Sequence, residues 1–342
     1  MMSSIETTIS SGPVTSPASF ETRDESDVPA IRVRNLHKSY GALEAVRGID
    51  LDVQPGEIFG LIGPDGAGKT SLFQILGGVM PATSGEAIML GHSARDARSY
   101  VGYLTQVFSL YHDLSVRENL RYMGELRRLP DKEIEERGLR YLKMFGMDRF
   151  RDRLAGKLSG GMKQKLSLAC ALIIEPKILL LDEPTTGVDP VSRREFWDAL
   201  ANLSGQGITI MLATPYLDEA ERCTRVALLY EGRVLALDEP ARLRAGMPGR
   251  MVELLAGAAQ GLHPTAQACA VGTPGLLDLI RRLPGVDDAQ AFGERVHVRL
   301  RDGADEGLAG FVAALRETPL RDAAVRPVPA SLEDVFIARL TS

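Results

Sequence analysis

From Ile31 onward, apolar and polar positions alternate in "IRVRNL" and again in "IDLDV", with turn signals at Tyr40-Gly41 and Pro55-Gly56. That period of two predicts half-buried strands. "EIFGLI" is apolar almost throughout and predicts a buried strand running into a glycine-rich turn and then a helix, "TSLFQILGGV". Between 107 and 157 the pattern turns helical. Ser115 and Glu118 make an S-x-x-E capping box opening a helix through about Arg128. Pro130-Asp131 opens another, with Ile134, Leu142 and Phe145 near one face. "KILLLD", "ITIMLAT" and "VALLY" then read as short strands buried on both faces, as in a parallel sheet. Amphipathic helices lie between them, one carrying Phe196, Trp197 and Leu200. The alternation predicts a doubly wound α/β fold. After Glu239-Pro240, "GRMVELL", "RVHVRL" and "AAVRPV" read as strands, and "PGLLDLIRRL" and "GLAGFVAALRE" as helices, of a small α+β domain. The expected organisation is a disordered tail over 1–29, a main domain over 30–243 with its helical insertion at about 107–157, and an accessory domain over 244–342.

The tail is rich in Ser, Thr, Pro and acid, with Arg23 its one basic residue. It has neither the basic start nor the apolar middle of a secretory signal. The whole chain has 342 residues, room for two domains. Its net charge of −5, from 40 basic and 45 acidic residues, gives no global positive field, so no nucleic-acid partner is expected. Apolar runs such as Ile178 to Leu181 fall far short of the roughly 20 residues of a bilayer helix. Cys170, Cys223 and Cys269 are too dispersed for a disulfide framework or zinc site and read as buried, inert thiols. His37, His92, His112, His263 and His297 are equally scattered, and His297, between two valines, is predicted to face water.

The chemistry begins at Gly63-Pro64-Asp65-Gly66-Ala67-Gly68-Lys69-Thr70, a G-x-x-x-x-G-K-[ST] string between a predicted strand and helix. Glycines let the backbone wrap a phosphate chain with successive N–H groups inward, and the helix adds about half a positive charge at its tip. Lys69 can reach the β and γ oxygens, and the Thr70 hydroxyl can hold Mg²⁺. At the end of a hydrophobic strand, Asp182 can hold magnesium through water, and Glu183 can orient or deprotonate an attacking water. Read alone, "LDEP" would serve as a helix N-cap; beside a phosphate loop it reads as a site. Leu158-Ser159-Gly160-Gly161-Met162 opens another helix and makes a second anion cradle. One nucleotide does not need two cradles so far apart in sequence. The economical arrangement is a head-to-tail dimer, each chain's "LSGG" capping the γ-phosphate held by the other's Lys69 loop.

With these parts in this order, the sequence from about Ile31 to Leu243 resembles the ATP-binding cassette (ABC) superfamily. The resemblance implies a P-loop NTPase fold of the ABC ATPase kind, with an antiparallel β subdomain and a helical insertion, binding ATP and Mg²⁺. It implies that Tyr40 stacks on adenine and that Ser71 joins the 63–70 loop around the nucleotide. Gln106 would sense magnesium and the γ-phosphate, joining Thr70 and Asp182 at the metal and Lys69 and Glu183 in catalysis. Asp189, in "TTGVDP", looks like part of the loop joining two active sites across the dimer. "GPDGAGKT", "SLYHDLSVREN", "GMKQKLSLAC", "TTGVDP" and "YLDEAERC" resemble the ATPases of ABC-2-type exporters, including multidrug and antibiotic efflux systems. "ASLEDVFIARL" resembles the segment closing that group's extra domain. The partners so implied are a separate ABC-2-type transmembrane permease and a second ABC ATPase subunit, identical or different. The implied place is the cytoplasmic side of the membrane, held peripherally through the permease. Phe108, Tyr111 and the helix with Glu118 and Tyr122 are expected to form the groove for a permease helix; ordinary packing within the insertion is the alternative.

The resemblance breaks at one position. After "ITIMLAT" the family usually places a histidine that contacts the γ-phosphate and the attacking water; here the string is Thr214-Pro215-Tyr216. Proline brings neither a side-chain donor nor an N–H. Losing one transition-state donor costs about 3 kcal/mol, or two to three decades in rate. Binding should survive and hydrolysis should suffer. The chain is then the slow half of an asymmetric pair whose "LSGGM" completes a faster site on its partner. Alternatively it forms a homodimer in which Glu183 suffices or a residue near Tyr216 substitutes. A nucleotide-dependent regulatory protein with little hydrolysis is a further reading. An ABC ATPase of ribosomes or DNA ends fits the single cassette, acidic charge and short insertion poorly. Asp65, where the family often has asparagine, reads as a turn-former.

Overall fold

The computed structural model describes residues 28–255, 273–293, 295–301 and 305–340. The expected tail, apart from residues 28 and 29, lies outside the described residues, as do Cys269 and His263.

The chain starts with a hairpin, β1 (Ile31–Tyr40) and β2 (Leu43–Val53), then enters β3 (Ile58–Ile62), the glycine loop and α1 (Lys69–Leu76). The predicted helix "TSLFQILGGV" ends early: Gly77 caps it and Gly78 turns left-handed at φ +65°. Next come β4 (Ser84–Met89), β5 (His92–Ser93) and β6 (Val101–Leu104), followed by α2 (Val116–Leu126) and α3 (Asp131–Met144). Ser115 and Glu118 form both halves of the capping box on α2. Ile134, Leu142 and Phe145 are all buried. The chain continues through α4 (Gly160–Leu172), β7 (Ile178–Asp182), α5 (Pro190–Gly205), β8 (Thr209–Thr214), α6 (Leu217–Ala220), β9 (Arg225–Tyr230), β10 (Arg233–Asp238) and α7 (Pro240–Ala245). It closes with β11 (Arg250–Leu255), α8 (Thr273–Arg281), β12 (Val286–Phe292), β13 (Arg295–Leu300), α9 (Asp305–Arg316), β14 (Ala324–Pro327) and α10 (Leu332–Leu340).

These strands form a sheet of order β2-β1-β4-β5, antiparallel, and a sheet of order β10-β9-β3-β8-β7-β6, parallel except for β10. The parallel sheet is apolar on both faces because alternate residues serve different cores. Ile58, Ile62, Leu179, Leu181, Ile210 and Leu212 pack with α4, α5 and the helical insertion. Phe59, Leu61, Leu180, Met211 and Ala213 pack with α1 and the antiparallel sheet. β3, β7 and β8 therefore end together, side by side, where their loops meet.

The last strands make an antiparallel sheet of order β12-β13-β11-β14, a split βαβ pattern with α8 and α9 over one face. The other face is polar, and here the expectation for His297 is corrected. Its ring is 17% exposed and bonds through Nδ1 to Asp334 of α10 at 3.0 Å. A helix from the end of the chain covers that face, which local alternation does not report.

Candidate nucleotide site

The phosphate loop is held by its neighbours at backbone contact. Gly63 N donates to Thr214 O at 3.3 Å, and Gly232 N, from the β9–β10 turn, donates to Ala67 O at 3.0 Å. A Cβ at Gly63 would sit 2.2 Å from Leu229 O, and one at Gly68 (φ +100°) 2.2 Å from Ala45 O. These two glycines are required by close approach and, at Gly68, by a left-handed turn.

β3–α1 and β7 deliver the charged groups. Lys69, 3% exposed, donates to Gly63 O at 2.9 Å and Pro64 O at 3.0 Å, and lies 3.2 Å from the Glu183 carboxylate. Thr70 donates from Oγ1 to Asp182 Oδ1 at 3.3 Å. Glu183 Oε2 accepts from Gln106 Nε2 at 2.9 Å, so the connection after β6 reaches the same point. The Glu183 backbone is left-handed at φ +50°, a conformation that costs about 1–3 kcal/mol and persists only where its surroundings enforce it. One restraint is its own N–H, which donates to Ala213 O at 2.9 Å.

Asp182 Oδ2 is buried and has no hydrogen-bond partner among the described residues. Burial, opposed by the Thr70 hydrogen bond, raises its pKa to about 6. Burial and the Asp182 charge likewise push the neighbouring Tyr103 phenol well above its ordinary value. A desolvated carboxylate with one free oxygen, next to a hydroxyl, suits a hard cation that takes oxygen ligands. No group of three or more His, Cys, Asp or Glu among the described residues could hold a metal alone. Phosphate and water oxygens would have to complete the shell, as the chemistry of Mg²⁺ favours.

Sequence reasoning named Lys69, Thr70, Gln106, Asp182 and Glu183, and the structure brings these together. Pro64, Asp65 and Gly66 form the exposed lip of the loop. Tyr40 is 44% exposed at the end of β1, its hydroxyl 3.3 Å from Ser71 Oγ and 3.1 Å from Met80 Sδ. The second cradle stands apart. Ser159 and Gly160 are exposed, Ser159 Oγ caps α4 by accepting from Met162 N at 3.3 Å, and no described hydrogen bond joins them to the 63–70 loop. Gly161 instead abuts Ser192, whose N–H donates to Asp189 Oδ1 at 2.9 Å. That bond holds the Asp189 carboxyl below the usual range.

In the insertion, Phe108 packs on the main core and edge-on to His112 at 5.2 Å. Tyr111 and Tyr122 stay exposed as an edge-to-face pair at 4.9 Å, while the Glu118 carboxylate is engaged by Ser115. Sequence reasoning missed Tyr103 and the buried residues Thr185 and Glu219, which meet only in three dimensions.

A strand–loop–helix phosphate cradle with an acidic pair at the end of β7, one strand removed from β3 in the same parallel sheet, defines a P-loop ATPase cassette. Within that class, residues 46–186 match the family model described as ABC transporter. The chain is 38% identical over 313 residues to the probable multidrug ABC transporter ATP-binding protein YbhF of Escherichia coli, covering 90% of this chain and 51% of that one. It therefore spans about half the length of that relative. It is 33% identical over 318 residues to the daunorubicin resistance ATP-binding protein DrrA2 of Streptomyces coeruleorubidus, covering 91% of this chain and 95% of the relative. Among solved structures it is similar to cbiO1 of Clostridium perfringens, part of an ABC transporter complex (TM-score 0.59, 30% identity, 64% of this chain, 91% of that one). A bacterial ABC transporter cassette solved as a dimer aligns with TM-score 0.57 at 26% identity, over 61% of this chain and 98% of the other. The chain belongs to the ABC transporter family as an ATP-binding cassette. Among its described residues no helix is long and apolar enough to cross a membrane.

Proposed function

We propose that the chain is the ATP-hydrolysing subunit of an ABC-2-type exporter, working peripherally at the cytoplasmic face of a membrane through a separate permease. The observation that carries this is the convergence of Lys69, Thr70, Gln106, Asp182 and Glu183 at one point, with the Ser159-Gly160 cradle exposed and apart from it. The tasks for which the relatives are named, multidrug transport and daunorubicin resistance, support export as the task. In this reading residues 30–243 are the cassette and 244–342 an accessory domain. The exposed Tyr111 and Tyr122, with Phe108 and the α2 residue Glu118, form the permease groove.

The loop N–H groups and the α1 tip hold the β- and γ-phosphates, and the Lys69 ammonium moves from its carbonyl partners onto phosphate oxygens. Tyr40, beside Ser71, offers its exposed face to the base. Thr70 and Asp182, with Gln106 nearby, would hold Mg²⁺, which when bound would supply charge neutralisation at the phosphoryl oxygens. Glu183 orients the attacking water and takes its proton. The Ser159 hydroxyl and the Gly160 and Gly161 amides of a second cassette cover the γ-phosphate, and Asp189 links the two sites.

Pro215 makes this the slow member of an asymmetric pair. It stands between Thr214, whose Oγ1 accepts from Tyr216 N at 3.1 Å, and the α6 start, and it brings no donor to the γ-phosphate. The purified chain should bind MgATP and hydrolyse it slowly, and Pro215→His should raise kcat by about two decades with little change in KM. Robust hydrolysis by the parent chain alone, abolished by Glu183→Gln, would overturn the slow-member reading. Failure to bind MgATP would overturn the whole proposal.

A further inference from the structure

Behind Glu183 lies a buried polar cluster that the phosphate chemistry does not use. Glu219, on α6, is 1% exposed; its Oε1 accepts from the Thr185 hydroxyl, itself 1% exposed. Among the described residues its buried Oε2 has no hydrogen-bond partner, nor has the buried Nε of Arg193 on α5, 3.7 Å from Oε1. The Arg193 guanidinium also stacks on the Tyr216 ring at 4.9 Å. A carboxylate this deeply buried is held by its charge partner and by every hydrogen bond it makes.

The three segments so joined are the ones that converge on the reacting end of the site. Thr185 follows Glu183 by two residues, Tyr216 follows Pro215, and Arg193 lies in the first turn of the helix capped by Asp189. The Thr185 backbone carbonyl accepts from Val188 N at 3.1 Å, and Thr186 Oγ1 lies 3.5 Å from Glu183 Oε2. The left-handed Glu183 requires outside restraint. Ala213 O restrains it from one side, and the Thr185–Glu219 bond pins the loop immediately downstream.

We infer that Thr185, Glu219 and Arg193 form a clasp that positions Glu183 for attack, tying its loop to the Pro215 turn. Where position 215 cannot donate to the γ-phosphate, the turn contributes through the placement of Glu183. Thr185 and Glu219 are positioning residues, not catalytic ones. The inference rests on the ATPase reading above.

Single-turnover ATP hydrolysis and equilibrium binding of a fluorescent ATP analogue test it in the full chain. Thr185→Val, which keeps shape and removes the hydroxyl, should slow turnover about tenfold and leave nucleotide affinity within about twofold. Thr185→Ser should return the rate to within about threefold of the parent. A purely structural role would instead lower affinity and rate together. Should Thr185→Val fail to fold, Glu219→Gln keeps an acceptor for Thr185 while removing the charge facing Arg193, and should slow turnover at unchanged affinity. A parent that turns over and is matched by both variants, or a parallel loss of affinity and rate, overturns the clasp alone. A parent with no turnover overturns the ATPase reading and the clasp with it.

Discussion

Burial lifts the Asp182 pKa from an ordinary 3.8 to about 6, and this sets a pH dependence with a definite sign. The folded-state pKa exceeds the unfolded one, so folding favours the protonated acid. Its contribution is fully present below about pH 4 and is lost as pH rises through about 6; the gap corresponds to about 3 kcal/mol. Asp182→Asn should therefore raise the melting temperature of the nucleotide-free protein about twice as much at pH 7.5 as at pH 5. It should also remove the Mg²⁺-dependent part of ATP binding. Melts at the two pH values, with and without Mg²⁺, check both; an equal shift at both would refute the burial argument. The grouping of Lys69, Thr70, Asp182 and Glu183 was legible in the sequence because the string around each has a characteristic local spacing. The strained φ of Glu183 and the Thr185–Glu219 bond were not, since the bond spans 34 positions and involves residue types common anywhere.

At the level of elements, strands with clean alternation or continuous apolar runs were readable, and β12 was not. Its "VDDAQAF" carries two adjacent acids that break the alternation; Asp287 pairs with Arg299 at 2.7 Å and Asp288 with Arg281 at 3.3 Å, on a bulged strand. The same limit applies to α10, whose sequence closes the accessory segment but whose apolar residues pack elsewhere. Leu332 and Val335 lie in the core that holds α4 and α5, and Phe336 meets Tyr230 edge-on at 6.2 Å, while Asp334 grips His297 of the last sheet. The helix thus joins the polar sheet face to β9. Trp197, the one tryptophan of the chain, sits in that same core. Leu332→Ala should lower cassette stability by about 2–5 kcal/mol, the range for truncating a buried leucine. Urea unfolding followed by Trp197 fluorescence measures it. A midpoint unchanged at Trp197 would mean that α10 stabilises only the C-terminal sheet.

For the whole molecule the decisive feature is that one chain carries two anion cradles that it does not bring together. In the proposed function, the phosphate loop with its enclosed lysine and the open Ser-Gly-Gly helix tip are complementary halves, which a head-to-tail pair of chains would join twice over. In the same proposal Pro215 slows hydrolysis without touching either half, so blocking hydrolysis should leave pairing intact. The Glu183→Gln chain, given MgATP, should sediment at twice its 37.1 kDa mass, and at the monomer mass in ADP. Gly160→Asp should test the geometry directly, because Gly160 is exposed and an added Cβ would meet only Gly187 O, at 3.4 Å. The fold has room for that side chain, but a carboxylate at the helix tip repels a γ-phosphate. In the Glu183→Gln background it should leave ATP affinity of the monomer within about twofold and abolish the dimer. Loss of affinity in the monomer would place the cradle at the chain's own nucleotide. A dimer that survives the substitution would place the contact between chains elsewhere.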